Sequence, residues 1–439
     1  MEDPLLKLAY LTTFSYFQNG ELAKALGMTD QLLSAAADQA LVDYLMCAEL
    51  ACGIYLEADQ DKKAEKIYRD IIRRLDPVLK EAPGELAVEM LLSSCYAGLG
   101  RCYFRTLHYD QSISWFSKRY ALTRQWLDTL TEENMPLPVR EHFHAISCEQ
   151  FCQLYNQKED AAEALSYGLE FNTIMKELYR KDPANATLVF SLITSYIHLG
   201  RAYMLNKDKE NSAATLIAGL ALSDEYSEEF SDNYEHSGPL LVLLEALGEF
   251  YATEQEYEKA LPYFLRQYTV INKLSQLNKD TMATKFNIGC AASKLADSYV
   301  HLQKLPEALP YLKQMEQIFT ELIHSPEAHL SHYHNLYFCH ATYVEYHQTL
   351  GNLSQAIQSA TRTVDILKKM FDMTKGERRY RNLLGKHYKI LAKLYREQNE
   401  EAKARECDAK VDWLIRPYVS NSTFFRLMLR HAIYRVFKV

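Results

Sequence analysis

Six histidines, His324, His329, His332, His334, His340 and His347, fall within the stretch HSPEAHLSHYHNLYFCHATYVEYH. Imidazoles bind zinc when three or four donors converge, usually with a carboxylate or thiolate among them. His329, His332 and His340 can share one side of a helix, with Glu345 close by. A metal-dependent enzyme using His324 to His347 is one reading. The spacing matches no zinc motif, and exposed or packing histidines on a helix account for the same residues, so no metal or cofactor is expected. The stretch CEQFC sets Cys148 and Cys152 one helical turn apart, without further sequence partners, which reads as structural thiols. SDEYSEEFSDNYEHSGP, residues 223–239, lacks the alternating oxygen donors and central glycine of a calcium loop and reads as a helix end and linker. ATEQEYEKALPYF, residues 252–264, offers Glu254, Glu256 and Glu258 beside Tyr257 and Tyr263 for proton transfer, or for the solvated start of a helix. No Walker loop, GxGxxG, HExxH or GxSxG element is present.

The elements that would hold these groups are helices. Of the 439 residues only 15 are glycine and 12 proline, too few for the turns of a doubly wound sheet or a barrel. Apolar residues make up 48%, enough for a large core. A formal net charge of -8 argues against a general nucleic-acid coat. Nine dispersed cysteines, with no CxxC pair, point to a reducing, cytoplasmic setting. No run approaches eighteen apolar residues, so no transmembrane segment is expected.

A period runs along the chain. ALGEFYATEQEYEKALPYF is followed by KLADSYVHLQKLPEALPYL, with Tyr251 and Tyr299, and likewise Ala260 and Ala308, 48 residues apart. The anchors fall at residues 16, 55, 103, 152, 203, 251, 299, 347 and 395, and each unit reads as two amphipathic helices. One such hairpin cannot bury its apolar faces alone, whereas a stack of them shares a continuous core.

The pattern resembles the tetratricopeptide-repeat family: a small residue, a tyrosine three further on, alanine nine beyond, and an aromatic four later. Gly248, Tyr251, Ala260 and Phe264 match it, as do Gly100, Tyr103, Ser112 and Phe116, while Gly200, Tyr203, Ser212 and Leu216 match in part. Units of about 48 residues are longer than the family's usual 34 or so. The resemblance implies an all-α fold, a right-handed superhelical solenoid of about nine antiparallel helix hairpins over residues 1–420. It also implies a function: a protein- or peptide-binding scaffold or adaptor with no chemistry of its own, using the surface lined by the first helix of each hairpin.

Carried onto that surface, the family's inward positions select Lys386, Lys389, Lys393 and Arg396, with Arg379 extending the stripe, and Arg101, Arg105 and Arg201 earlier in the chain. A stripe of like charge suggests an anionic partner, such as an acidic or carboxylate-bearing peptide. The middle units offer Glu245, Glu249, Asp297 and Glu345, so the sign changes along the surface, unless these charges pair internally. NGELAKALGMTDQLLSAA resembles a bacterial helix-turn-helix, which raises the alternative of a peptide-responsive regulator with an N-terminal DNA-binding segment. The basic, apolar tail of residues 421–439 reads as a capping helix or as a partner, membrane or homodimer contact.

Overall fold

The computed structural model describes residues 3–19, 21–82, 84–226, 234–277, 282–325 and 328–415. They divide into two compact units, residues 1–226 and 227–439. The first holds α1 (Pro4–Gln18), α2 (Leu22–Ala36), α3 (Leu41–Glu57), α4 (Asp61–Glu81), α5 (Leu86–Arg105), α6 (Tyr109–Thr129), α7 (Leu137–Lys158), α8 (Ala161–Lys181), α9 (Ala186–Leu205) and α10 (Lys209–Glu225). The second holds α11 (Tyr234–Thr253), α12 (Tyr257–Leu277), α13 (Met282–His301), α14 (Leu305–Ile323), α15 (Leu330–Thr349), α16 (Leu353–Met373), α17 (Arg378–Glu397) and α18 (Glu401–Ile415). Within each unit consecutive helices pack side by side, and no strand occurs among the described residues. This is an all-α, tetratricopeptide-like solenoid of helix hairpins.

The turn inside each hairpin follows one rule. The first helix ends on a residue in the left-handed region: Asp59, Leu107, Glu159, Lys207, Gln255, Gln303, Gly351 or Asn399, with φ between 54° and 70°. The next N–H then bonds back to the anchor carbonyl, as in Gln60 to Tyr55, His108 to Tyr103 and Glu400 to Tyr395, each at 2.8 Å. That six-to-one bond satisfies a carbonyl which the helix end leaves open. It also fixes the register. Asp160 bonds to Tyr155, and Ala164 is fully buried whereas Ala161 is not. The anchor of this hairpin is therefore Tyr155, three residues beyond the expected Cys152.

Above each turn the two helices meet through residues of unequal size. Gly100 faces Phe116, Gly200 faces Leu216 and Gly248 faces Phe264; a Cβ built on Gly248 would lie 2.3 Å from the Phe264 ring. Gly168 sits under Cys152 instead, so there the small residue is on the second helix. Val344 and Ala360, at the corresponding positions of a later hairpin, have the same inverted order and share one buried cluster. Where serine replaces the second-helix alanine, its hydroxyl donates across the gap: Ser112 to Gly100 O at 2.8 Å and Ser212 to Gly200 O at 2.9 Å.

The helix-turn-helix-like segment is α1 and α2. Leu6, Ala25 and Leu32 are buried in the same cluster as Tyr55 and Ala64, so this segment packs as part of the repeat array rather than standing as a separate DNA-binding domain. α9 differs from the expectation for membrane spans, being long and apolar enough to cross a membrane by length and composition. Its Val189, Leu192, Ile193 and Ile197 are buried, and it packs against α8 and α10 as a repeat helix does. Much of the acidic 223–239 stretch and all of the proposed 421–439 helix lie outside the described residues.

Two predictions follow from the packing. Gly248→Val alone should cost about 3 kcal/mol through overpacking, and adding Phe264→Ala should recover part of that loss, because the pair then copies Val344 and Ala360. Urea denaturation of the single and double variants reads the coupling. His387 is buried against the Tyr337 ring, with centroids 5.2 Å apart, and burial followed by the Lys386 charge pushes its pKa down to about 4. The unfolded chain takes up this proton near pH 6.5 and the folded one only near 4, so stability is retained above 6.5 and lost as pH falls through that window. Between pH 7 and 5 the loss should be about 2 kcal/mol, and His387→Gln should remove it.

Candidate functional site

A chain of charges from three first helices and one second helix runs through residues 1–226. α5 supplies Arg101, α6 Arg119, α7 Glu149, and α9 both His198 and Arg201. Arg119 is only 6% exposed, and its Nε lies 3.4 Å from Ser93 Oγ. Burial, then the like charge of Arg101, lowers its pKa to about 10, with Glu149 acting the other way. Burial lifts the Glu149 carboxyl to about 7 against the pull of Arg119. The Glu149 carboxylate oxygen is 3.8 Å from His198 Nε2. Burial and the nearby Arg201 push His198 down to about 4, so this imidazole is neutral at physiological pH. Among the described residues, Arg101, Arg119 and Arg201 make no ion pair.

A pocket of about 550 Å³ opens beside this chain, lined by α3, α5 and α7 with contributions from their neighbours. Arg101, Arg119, Gln150 and Ser94 line it together with Glu49 and Glu57 of α3, and Leu45, Leu56, Leu91 and Ile146 supply apolar wall. Gln150 Oε1 is buried without a hydrogen-bond partner. The arrangement can hold an extended polar chain: two guanidiniums for a carboxylate, two carboxylates for a cationic group, and an amide to pair with backbone.

The eight sequence-selected basic residues fall three in the first unit and five in the second. Arg101 lines the pocket and Arg201 extends its charge chain. Arg105 is held by Asp61 at 2.8 Å and by Asp59, both at the turn of the preceding hairpin. In the second unit, Lys386 and Lys389 line a groove of about 380 Å³ with Arg378, Arg381, Asn382, Gly385 and, from α18, Val411 and Leu414. Lys393 is 3.7 Å from Glu397, Arg396 pairs with Glu401 at 3.6 Å and with Asp408, and Arg379 lies over the Tyr380 ring. Glu245 and Glu249 are both bridged by Lys294, the first at 3.6 Å, so the change of sign along this surface is partly neutralised internally.

Arg119, Glu149 and His198 were not among the expected site residues. Glu149 stands six residues before an anchor, but the anchor is Tyr155 and not Cys152. Arg119 sits on a second helix at a position where five other hairpins place Leu32, Ile71, Phe171, Met315 and Val411, and three place the uncharged Gly219, Gln267 and Thr363. A charge at a core position of the repeat was the signal that could have found it.

The six clustered histidines do not converge. His324 Nδ1 lies 2.7 Å from the Thr320 carbonyl, and the His329 N–H donates to His332 Nδ1 at 3.1 Å, capping α15. His334 packs edge-on to Tyr337, His340 is 3.9 Å from Glu316, and His347 stacks on Tyr343. Burial lowers the pKa of His332, His334, His340 and His347. In the 252–264 stretch Glu256 pairs with Lys259 at 2.8 Å at the start of α12, and Ala260 and Phe264 are core.

No family model and no curated protein sequence matches the chain. Solved structures do. The apo form of RapI is 13% identical, with 94% of this chain and 98% of that one covered at a TM-score of 0.52. A signal-transduction ATPase with a tetratricopeptide-repeat sensor from Pyrococcus horikoshii is also 13% identical, over 92% of this chain and 54% of its own, at a TM-score of 0.50. Aspartyl phosphate phosphatase F from Bacillus subtilis is 12% identical over 94% of each chain, at a TM-score of 0.49. The expectation of a chain with no chemistry of its own does not stand, because a repeat architecture by itself marks a chain neither as an enzyme nor as a non-enzyme. At these identities the likeness is one of fold, a tetratricopeptide-like, all-helical repeat.

Proposed function

We propose that the chain is a peptide-responsive regulator acting in the cytoplasm, whose residues 1–226 bind an extended peptide through a carboxylate. The unpaired, buried Arg119 carries this reading. A guanidinium at a core position with no ion pair, and only the more distant Glu149 opposing it, costs stability, and Ile71 and Phe171 show that the fold accepts apolar residues there. Such a charge is accounted for by an anionic ligand, with Arg101 and Arg201 flanking it. Lys386 and Lys389, in the groove of the second unit, are proposed as a further anionic contact, with Arg379, Lys393 and Arg396 around them. A constitutive scaffold would use the same surfaces but would not change on binding.

Selection of random short peptides on the purified protein, counter-selected on Arg101→Ala and Arg119→Ala, tests the site. Peptides rich in carboxylate should be enriched, bind at least tenfold more weakly to either variant, and lose affinity with added salt. Enrichment that ignores both substitutions would refute the site. Hydrogen exchange with and without a selected peptide separates regulator from scaffold: protection spreading beyond the contacted helices belongs to the regulator.

Arg119→Ile should act in opposite directions on two measurements. Thermal stability should rise, by about 1 kcal/mol or more, while peptide affinity falls. A variant that loses both would make Arg119 a structural residue.

A further inference from the structure

α7 and α8 bring together three groups that the sequence keeps apart. His144 and Cys148 stand one turn apart on α7, and Glu170 reaches them from α8. His144 Nε2 is 3.2 Å from Glu170 Oε1, and the imidazole nitrogen, the thiol sulfur and the carboxylate oxygen all lie within 4.8 Å of one another. Cys152, the other half of the thiol pair in the sequence, points elsewhere, donating to Ala164 O at 3.3 Å.

We propose that His144, Cys148 and Glu170 form a binding site for a divalent metal of the zinc class. Nitrogen, sulfur and oxygen donors together suit zinc better than the all-oxygen demands of calcium or magnesium. Zinc bonds of about 2.0–2.3 Å separate tetrahedral ligand atoms by roughly 3.3–3.8 Å, so the cluster needs only a slight contraction around the ion. The charge also balances. A thiolate and a carboxylate neutralise the two positive charges, and the imidazole stays neutral, so burying the loaded site buries no net charge. Binding forms the metal–sulfur bond with loss of the Cys148 thiol proton to solvent, and no electrons move.

The surroundings hold these ligands in place. Thr123 Oγ1, on α6, is 3.1 Å from His144 Nδ1, leaving Nε2 aimed at Glu170. Ser147 Oγ is 3.1 Å from the same Thr123 oxygen. The Tyr120 hydroxyl donates to both carboxylate oxygens of Glu170, at 3.1 and 3.3 Å. A hydrogen-bonded imidazole and a hydrogen-bonded carboxylate are the outer-shell arrangement that metal sites use to orient their ligands. His144 and Cys148 are buried, while Glu170 is about one-third exposed and provides the way in and a fourth position for water.

Cobalt(II) replaces zinc in such sites and reports a bound thiolate by a near-ultraviolet charge-transfer band. The full chain, stripped with chelator and kept reduced, should take up one equivalent of cobalt with that band, and zinc should displace it. Cys148→Ala should abolish the band, Cys152→Ala should keep it, and Glu170→Gln or Thr123→Val should weaken binding at least tenfold. Glu170→Gln preserves an acceptor for Tyr120, so it decides the matter if circular dichroism shows Cys148→Ala to be misfolded. No band in the wild type, a band that survives Cys148→Ala, or affinity unchanged in Glu170→Gln would each overturn the site and leave a hydrogen-bonded structural cluster.

Discussion

The close approach of two helices within a hairpin is the constraint from which the other features follow. It requires one small and one large side chain at the crossing, and the fold accepts either order: Gly248 under Phe264, or Gly168 under Cys152. Because either helix can supply the smaller residue, the sequence at each position drifts while the geometry does not. With the crossing fixed, the anchor carbonyl, the left-handed turn residue and the start of the second helix fall into place together. Starts of second helices at Lys209, Tyr257, Leu305, Leu353 and Glu401 keep one interval of 48 residues.

A fixed frame of this kind makes polar exceptions informative. Most buried positions are apolar, and Arg119 and Arg140 are the two buried arginines among the described residues, so Arg119 is a departure that packing alone does not ask for. The same holds for His144, enclosed yet facing a carboxylate. Elsewhere charges are settled locally. Arg105 is taken by two aspartates, and Lys294 joins two glutamates of the preceding first helix. The first-helix face is thus a mixture of satisfied pairs and a few unsatisfied cations, and only the latter bear on a ligand.

The fold was legible because helical period and repeat period are both local properties, carried by Tyr251, Ala260, Phe264 and their counterparts. The site was legible only in part. Arg101 and Arg201 could be placed from the anchors, but a slip of three residues at Tyr155 hid Glu149, and a rule confined to first helices passed over Arg119. Pairings such as Arg396 with Asp408 join neighbouring helices and are not written in any one of them. Cys148 showed the same limit. Its sequence neighbour Cys152 suggested a partner, whereas its contacts come from another turn and another helix. The reading of the fold as a non-enzyme had the weakest basis, since architecture says little about chemistry.

The hairpin turns have a further consequence. Each places one amide, that of Glu21, Gln60, His108, Asp160, Asp208, Glu256, Lys304, Asn352 or Glu400, in the same bond to an anchor carbonyl, at 2.8 to 3.0 Å. These nine protons sit at equivalent points of nine otherwise different hairpins. The rate at which each exchanges with solvent reports the opening of its own hairpin, so the chain carries a built-in gauge of how cooperativity decays along a stacked array.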